Sequence, residues 1–306
     1  MNVVLFAWCP TSVLYLEALA AAGVAPRLVV TGTRSSPRAP LALACERLGV
    51  PLERRDDPNA PGFVASLRAL ATDLLLVAGC ARVLGPELLA VPRLGALNVH
   101  PSRLPAYRGK EPLFWAILRG EPSVAVTVHH LTEEIDAGPI LFQREVVVPA
   151  RATSASLASL VDGAGAALVP EILALAATGR LPPGHAPSGP GSRFPPLRPE
   201  HGLLDFSRDA LELDRLVRAA QGEIPAFCFH GGFRLIVLEG DAEGDAPQGH
   251  PGRVLSLADG ALTVAAARGV YRIRRCLFLD RVHDGPALAA ALGIAPGAAL
   301  TANPAF

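Results

Sequence analysis

Lysine is almost missing from this chain. Lys110 alone stands against 27 arginines, and 28 basic residues meet 28 acidic ones among 306, so the formal net charge is zero. The surplus of positive charge that grips nucleic acid or an anionic membrane is lacking, which argues against a nucleic-acid partner. The arginine excess reads as compositional bias. Cysteine is sparse: Cys9, Cys45, Cys80, Cys228 and Cys276 are odd in number, scattered, and include no C-x-x-C pair. That excludes a disulfide framework and points to reduced thiols. The eight histidines show no metal-ligand spacing, so no metal is expected. No apolar run reaches the ~18 residues of a membrane span, and MNVVLFAWCP lacks the basic start of a signal peptide. The expectation is a cytoplasmic protein without a membrane partner.

What is present is a large apolar share, 50% of residues against 18% charged, ample for a sizeable core. In the first half short apolar runs alternate with helical patterns. VVLFAW, RLVVTG, DLLLVAG and ALNVH read as strands, a weak one lies in VPLERR, and amphipathic stretches separate them. That rhythm implies βαβ units and an open, Rossmann-like, mostly parallel sheet covered on both faces. Two further strands, SVAVTVHHL and PILFQREVVV, flank the loop TEEIDAG. A long helical segment precedes a stretch, 182–202, that carries seven prolines and reads as a linker. Beyond it Ser207 is placed to cap a helix, and Gly-punctuated apolar runs predict a smaller β-rich, OB-like domain. The boundaries expected are 1–181 for a catalytic domain, 182–202 for the linker and 203–306 for the accessory domain.

The decisive stretch is LNVHPSRLPAYRG, residues 97–109. Asn98 and His100, two apart on a strand, point to the same side, and ligands of parallel α/β sheets bind beyond the carboxyl ends of the strands. An amide and an imidazole converging there make an oxyanion-binding pair. An imidazole held charged and oriented needs an acid; Asp136, 36 residues on in TEEIDAGPI, is the candidate.

Together with RGEPSVAVTVHHLTEEIDAGPIL, this run resembles the formyltransferases that use 10-formyltetrahydrofolate, over about residues 1–180. The resemblance implies 10-formyltetrahydrofolate as co-substrate. It implies an amine attacking the formyl carbon, with Asn98 and protonated His100 holding the oxyanion and Asp136 orienting His100. It places folate against the backbone of AGCARVLGP, where Arg82, Val83 and Leu84 are candidates, and of LTEEID, with Leu131, Glu134 and Ile135. Leu104 and Pro105 would shape the pocket wall, while Arg108 and Gly109 hold the turn. Trp8, Lys110 and His130 are candidates for the amine site.

Three acceptor readings remain. From Ser207 onward 10 arginines face 11 acidic residues, and the loop TGTRSSPRAP has two arginines and no lysine. An RNA binder normally shows a basic face, so methionyl-tRNA ranks below a small amine. The motif RGKEPLFWAILRGEPSVAVTVHHLTEEIDAG and the run PEHGLLDFS look most like sugar N-formyltransferases. An amino-sugar nucleotide therefore comes first among small-molecule acceptors, and an amino-acid-derived amine second. A formyltetrahydrofolate hydrolase, or a binding module without catalysis, are rivals from other classes. A homodimer is allowed.

Overall fold

The computed structural model describes residues 1–33, 36, 39–80, 82–246 and 248–303. Strand β1 (Val3–Ala7) is followed by helix α1 (Val13–Ala21), β2 (Leu28–Thr31), α2 (Pro40–Leu48), β3 (Leu52–Arg54), α3 (Pro61–Ala69), β4 (Leu74–Ala78), α4 (Pro86–Leu89) and β5 (Ala96–His100). Next come the two-residue strand β6 (Arg108–Gly109), α5 (Pro112–Arg119), β7 (Ser123–His130), β8 (Ile140–Val147), α6 (Ser154–Ala166) and α7 (Val169–Ala177). The remainder holds β9 (Arg193–Phe194), α8 (Ala210–Ala219), β10 (Ala226–His230), β11 (Phe233–Glu243), β12 (Val254–Ala258), β13 (Ala261–Ala265), β14 (Val270–Phe278), β15 (Arg281–Asp284) and α9 (Gly285–Leu292).

The main sheet has the order β3-β2-β1-β4-β5-β7-β8. The first five strands are parallel, and β7 runs antiparallel between β5 and β8. Every residue of β1, β2 and β4 is buried, which is why these strands are continuous apolar runs rather than alternating ones. Phe6, Val30, Phe63, Leu67 and Val77 anchor the packing of one face. Truncating the fully buried Phe6 to Ala should cost ~3–5 kcal/mol.

Two compact units are found. One takes in Met1–Pro112, Ser123–Val147 and Ala158–Pro195; the other takes in Leu113–Pro122, Val148–Leu157 and the chain from Pro196 onward. The second is built on an antiparallel sheet, β10-β11-β14-β13-β12 with β15 on β14, and carries α8 and α9. Its α8 is capped by Asp209 rather than Ser207, because Glu212 three residues on returns its carboxylate to the Asp209 N–H. The expected single long helix is two: α6 and α7 are separated at Ala167 and Leu168. The stretch Ser154–Ala177 is long and apolar enough to cross a membrane by length and composition, with mean hydropathy 1.6. It was not apparent as one apolar run because Asp162 and Glu171 interrupt it, and Asp162 is held by the Thr11 and Tyr15 hydroxyls.

The proline-rich stretch is no loose spacer in its first part. His185 bridges Ile140 on β8, and β9 pairs with β6, Arg193 opposite Arg108. Prolines supply no N–H donors there, so the pairing falls on the few residues between them.

Candidate active site

Strand β5 carries Asn98 in its middle and His100 as its last residue, with Asn98 opposite His129 and His100 opposite Thr127 on β7. The loop from β7 to β8 doubles back to deliver Asp136. That residue has φ 53°, a left-handed conformation an aspartate tolerates better than most. Two positions on, a Cβ at Gly138 would lie 1.8 Å from the His130 carbonyl oxygen, so only glycine permits this return. The Asp-x-Gly spacing is thereby explained as backbone geometry.

Asp136 is 8% exposed and His100 6%. The Asp136 Oδ2 accepts from the Gly109 N–H at 2.8 Å. Its Oδ1 faces three side-chain nitrogens: Asn98 Nδ2 at 3.5 Å, His100 Nδ1 at 3.6 Å and His129 Nε2 at 3.7 Å. The His100 Nε2 lies 3.1 Å from the Tyr107 carbonyl oxygen. That oxygen only accepts, so the ring donates from Nε2 and leaves Nδ1 as the nitrogen turned to Asp136. His129 has the opposite arrangement: its Nδ1–H donates to the His130 carbonyl at 2.9 Å, and Nε2 accepts from Asn98 Nδ2 at 3.1 Å. Burial, and then the charge of nearby His100, push His129 down to about 4, against the pull of Asp136. His129 is thus a neutral acceptor that aims the Asn98 amide N–H groups into the cluster. Beneath it, Thr127 donates to the Ser102 carbonyl at 2.6 Å, and Gln143 donates to Thr127 and to the Leu104 carbonyl. These bonds hold the loop after β5.

The structure brings Asn98, His100 and Asp136 together and adds His129. It does not add His130, which the sequence proposes for the amine site. Adjacent strand residues face opposite sides, and His130 Nε2 lies 2.8 Å from the Pro182 carbonyl, lining a cavity of about 340 Å³ with Arg93 and Arg180. Leu84 and Leu104 are buried. At 5% and 3% exposure their side chains are core, leaving only their backbone to a ligand. Val83 and Ile135 are exposed, as are Arg82 and Lys110. Asn59, which the sequence reading overlooked, pins the Val83 loop by donating to the Val83 carbonyl and accepting from the Gly85 N–H. Trp8 and Leu131 pack on one apolar cluster, and Glu134 pairs with Arg108 at 3.3 Å. A cavity of about 350 Å³ lies between Glu134, Ile135 and Ser192. Among the described residues no group of three or more His, Cys, Asp or Glu could hold a metal ion.

A family model described as formyl transferase matches residues 33–173, and one described as formyl transferase, C-terminal domain, matches 196–281. A methionyl-tRNA formyltransferase of Roseiflexus castenholzii is 35% identical over 235 residues, 76% of this chain and 74% of its own length. The chain belongs to the formyltransferase family. Among solved structures, HypX from Aquifex aeolicus in complex with tetrahydrofolic acid superposes with a TM-score of 0.66 at 22% identity, over 96% of this chain and 47% of its own. This formyltransferase spans about half the length of HypX. WlaRD, a sugar 3N-formyl transferase in the presence of dTDP and 5-N-formyl-THF, gives 0.66 at 14% identity, over 89% of this chain and 97% of its own. Identities this low show the fold alone, and the fold agrees.

The protein is therefore an enzyme of formyl transfer, with 10-formyltetrahydrofolate as its co-substrate. The site fits that molecule: two N–H-bearing side chains converge on one carboxylate oxygen, and the exposed Val83 and Ile135 leave loop backbone within reach of a ligand. The exclusion of nucleic acid drawn from the neutral charge runs against the Roseiflexus relative. Net charge is an average over the chain and does not measure a local surface. Arg34 and Arg38 of the TGTRSSPRAP loop, which entered that estimate, lie outside the described residues.

Proposed function

We propose that this formyltransferase carries the formyl group of 10-formyltetrahydrofolate to the amino group of methionyl-tRNA, with Asn98, His100 and Asp136 as its catalytic residues. The observation that carries the acceptor is the 35% identity to the Roseiflexus methionyl-tRNA formyltransferase over three quarters of both chains. The geometry supports the chemistry. The co-substrate supplies an electrophilic formyl carbon. As the amine nitrogen bonds to that carbon, its oxygen gains negative charge, and Asn98 Nδ2 and the protonated Nδ1 of His100 donate to it. Donors of this kind are typically worth ~10²–10³ in rate. Asp136 balances the imidazolium and takes the proton the amine loses. His100 passes its own proton to the departing folate nitrogen as the old carbon–nitrogen bond breaks, and Asp136 returns one to His100.

A second reading, a small-molecule amine, is favoured by the pairing of basic residues in the second unit. Arg272 meets Asp241 and Glu243, Arg274 meets Asp241, and Arg151 and Arg218 both meet Asp214. Neutralised arginines offer little to phosphates. The test is release of tetrahydrofolate from 10-formyltetrahydrofolate with methionyl-tRNA, with amino-sugar nucleotides and with no acceptor. Turnover confined to methionyl-tRNA supports the proposal. Turnover confined to a small amine replaces the acceptor, and equal turnover without any acceptor overturns transfer as the reaction.

A further inference from the structure

Ser192 lies in the proline-rich stretch after α7 and makes three hydrogen bonds to the loop that follows β5. Its N–H donates to the Pro105 carbonyl at 3.1 Å, and its carbonyl accepts from the Arg108 N–H at 2.8 Å. Its hydroxyl accepts from the Tyr107 N–H at 2.9 Å. The residue between those bonds, Tyr107, has φ 59°, unusual for a tyrosine. Its ring stacks on Phe194 with centroids 4.9 Å apart and planes 17° from parallel.

These contacts bear on His100 through one peptide unit. In a planar trans peptide the C=O and N–H point in opposite directions. Holding the Arg108 N–H toward Ser192 therefore turns the Tyr107 carbonyl the other way, and that carbonyl meets His100 Nε2 at 3.1 Å. A carbonyl so fixed keeps the hydrogen of the neutral ring on Nε2 and reserves Nδ1 for Asp136. The Ser192 hydroxyl, accepting from the Tyr107 N–H, fixes the peptide on the other side of Tyr107. Without it Tyr107 could turn, its carbonyl would lose its aim, and both ring tautomers would be populated.

We propose that Ser192, supported by Phe194, is a positioning residue for formyl transfer: it sets the tautomer and aim of His100 through the Tyr107 carbonyl. A segment that reads as a linker would thus complete the catalytic site. The proposal rests on the catalytic reading of His100, but its structural half can be measured without turnover.

The first measurement is the ¹⁵N chemical shifts of the His100 ring, in the wild type and in Ser192→Ala, over a series of pH values; Asp136 and His129 are the titratable groups that face the ring. Among neutral rings the wild type should show the Nε2–H form alone, and Ser192→Ala a mixture; a neutral wild-type ring with its hydrogen on Nδ1 overturns the proposal. The second is kinetics. Loss of one such bond should lower kcat up to about tenfold, displace the pH profile of kcat and leave KM for 10-formyltetrahydrofolate unchanged. Ser192→Thr, which keeps the hydroxyl, should restore both. An unaltered tautomer and pH profile in Ser192→Ala, or a Thr variant as impaired as Ala, would show Ser192 to be merely structural. If the shifts change and turnover does not, the failure lies in the role given to His100.

Discussion

Two buried carboxylates, one in each compact unit, are bonded in opposite ways. Asp214 on α8 is 5% exposed and meets Arg151 at 2.6 Å and Arg218 at 2.8 Å. Asp136 is 8% exposed, yet it has one firm partner, the Gly109 N–H at 2.8 Å, and three nitrogens at 3.5–3.7 Å. Asp214 is saturated by cations, so nothing is left over for a ligand. Asp136 keeps an oxygen at which three groups converge without any of them closing on it. A buried charge is costly unless compensated, and such slack is kept where groups must change partners during a reaction. The contrast separates a carboxylate that holds the fold from one that, in the mechanism we propose, handles protons.

The largest effect that would sharpen this contrast is on rate. Asn98→Ala and Asp136→Asn should each lower kcat/KM by ~10²–10³ while thermal stability stays near that of the wild type. The second effect is on stability. Asp214→Ala strands Arg218, whose side chain is only 14% exposed, and should cost ~2–4 kcal/mol in urea unfolding. The Arg151 contribution is small because that side chain is 60% exposed. The rate of the folded fraction should change little. If Asp214→Ala cut the rate as deeply as Asp136→Asn, the contrast would fail.

Much of this was legible in the chain. The parallel strands announce themselves as continuous apolar runs, and the N-x-H and D-x-G spacings lead to Asn98, His100 and Asp136. His129 was not legible, because its standing depends on the cross-strand register that sets it opposite Asn98. Its neighbour His130 has the same residue type and the other face. Ser192 was hidden by composition: a serine among prolines and glycines reads as spacer until β9 is seen on β6. Strand β15 and α9 follow a bend at Leu279 and Asp280, both with positive φ, which no periodicity signals. The acceptor was ranked from total charge, a quantity blind to where the arginines sit.

A smaller effect concerns His129. The folded ring titrates near 4 and the unfolded one near 6.5, so between these values the unfolded chain binds more protons. Stability should fall as pH is lowered through that window. His129→Gln, which keeps an acceptor for Asn98, should flatten that part of the melting-temperature profile. An unchanged slope would remove His129 as the neutral member of the cluster.

The central claim is that the loosely held Asp136 serves chemistry rather than the fold. Single-turnover formyl transfer by Asp136→Asn, with both substrates saturating and the melting temperature measured on the same sample, tests it most directly. The expected result is a rate at least about a hundredfold below wild type with a melting temperature close to it. A rate within about threefold of wild type, or a loss matched by unfolding of the sample, would contradict the account.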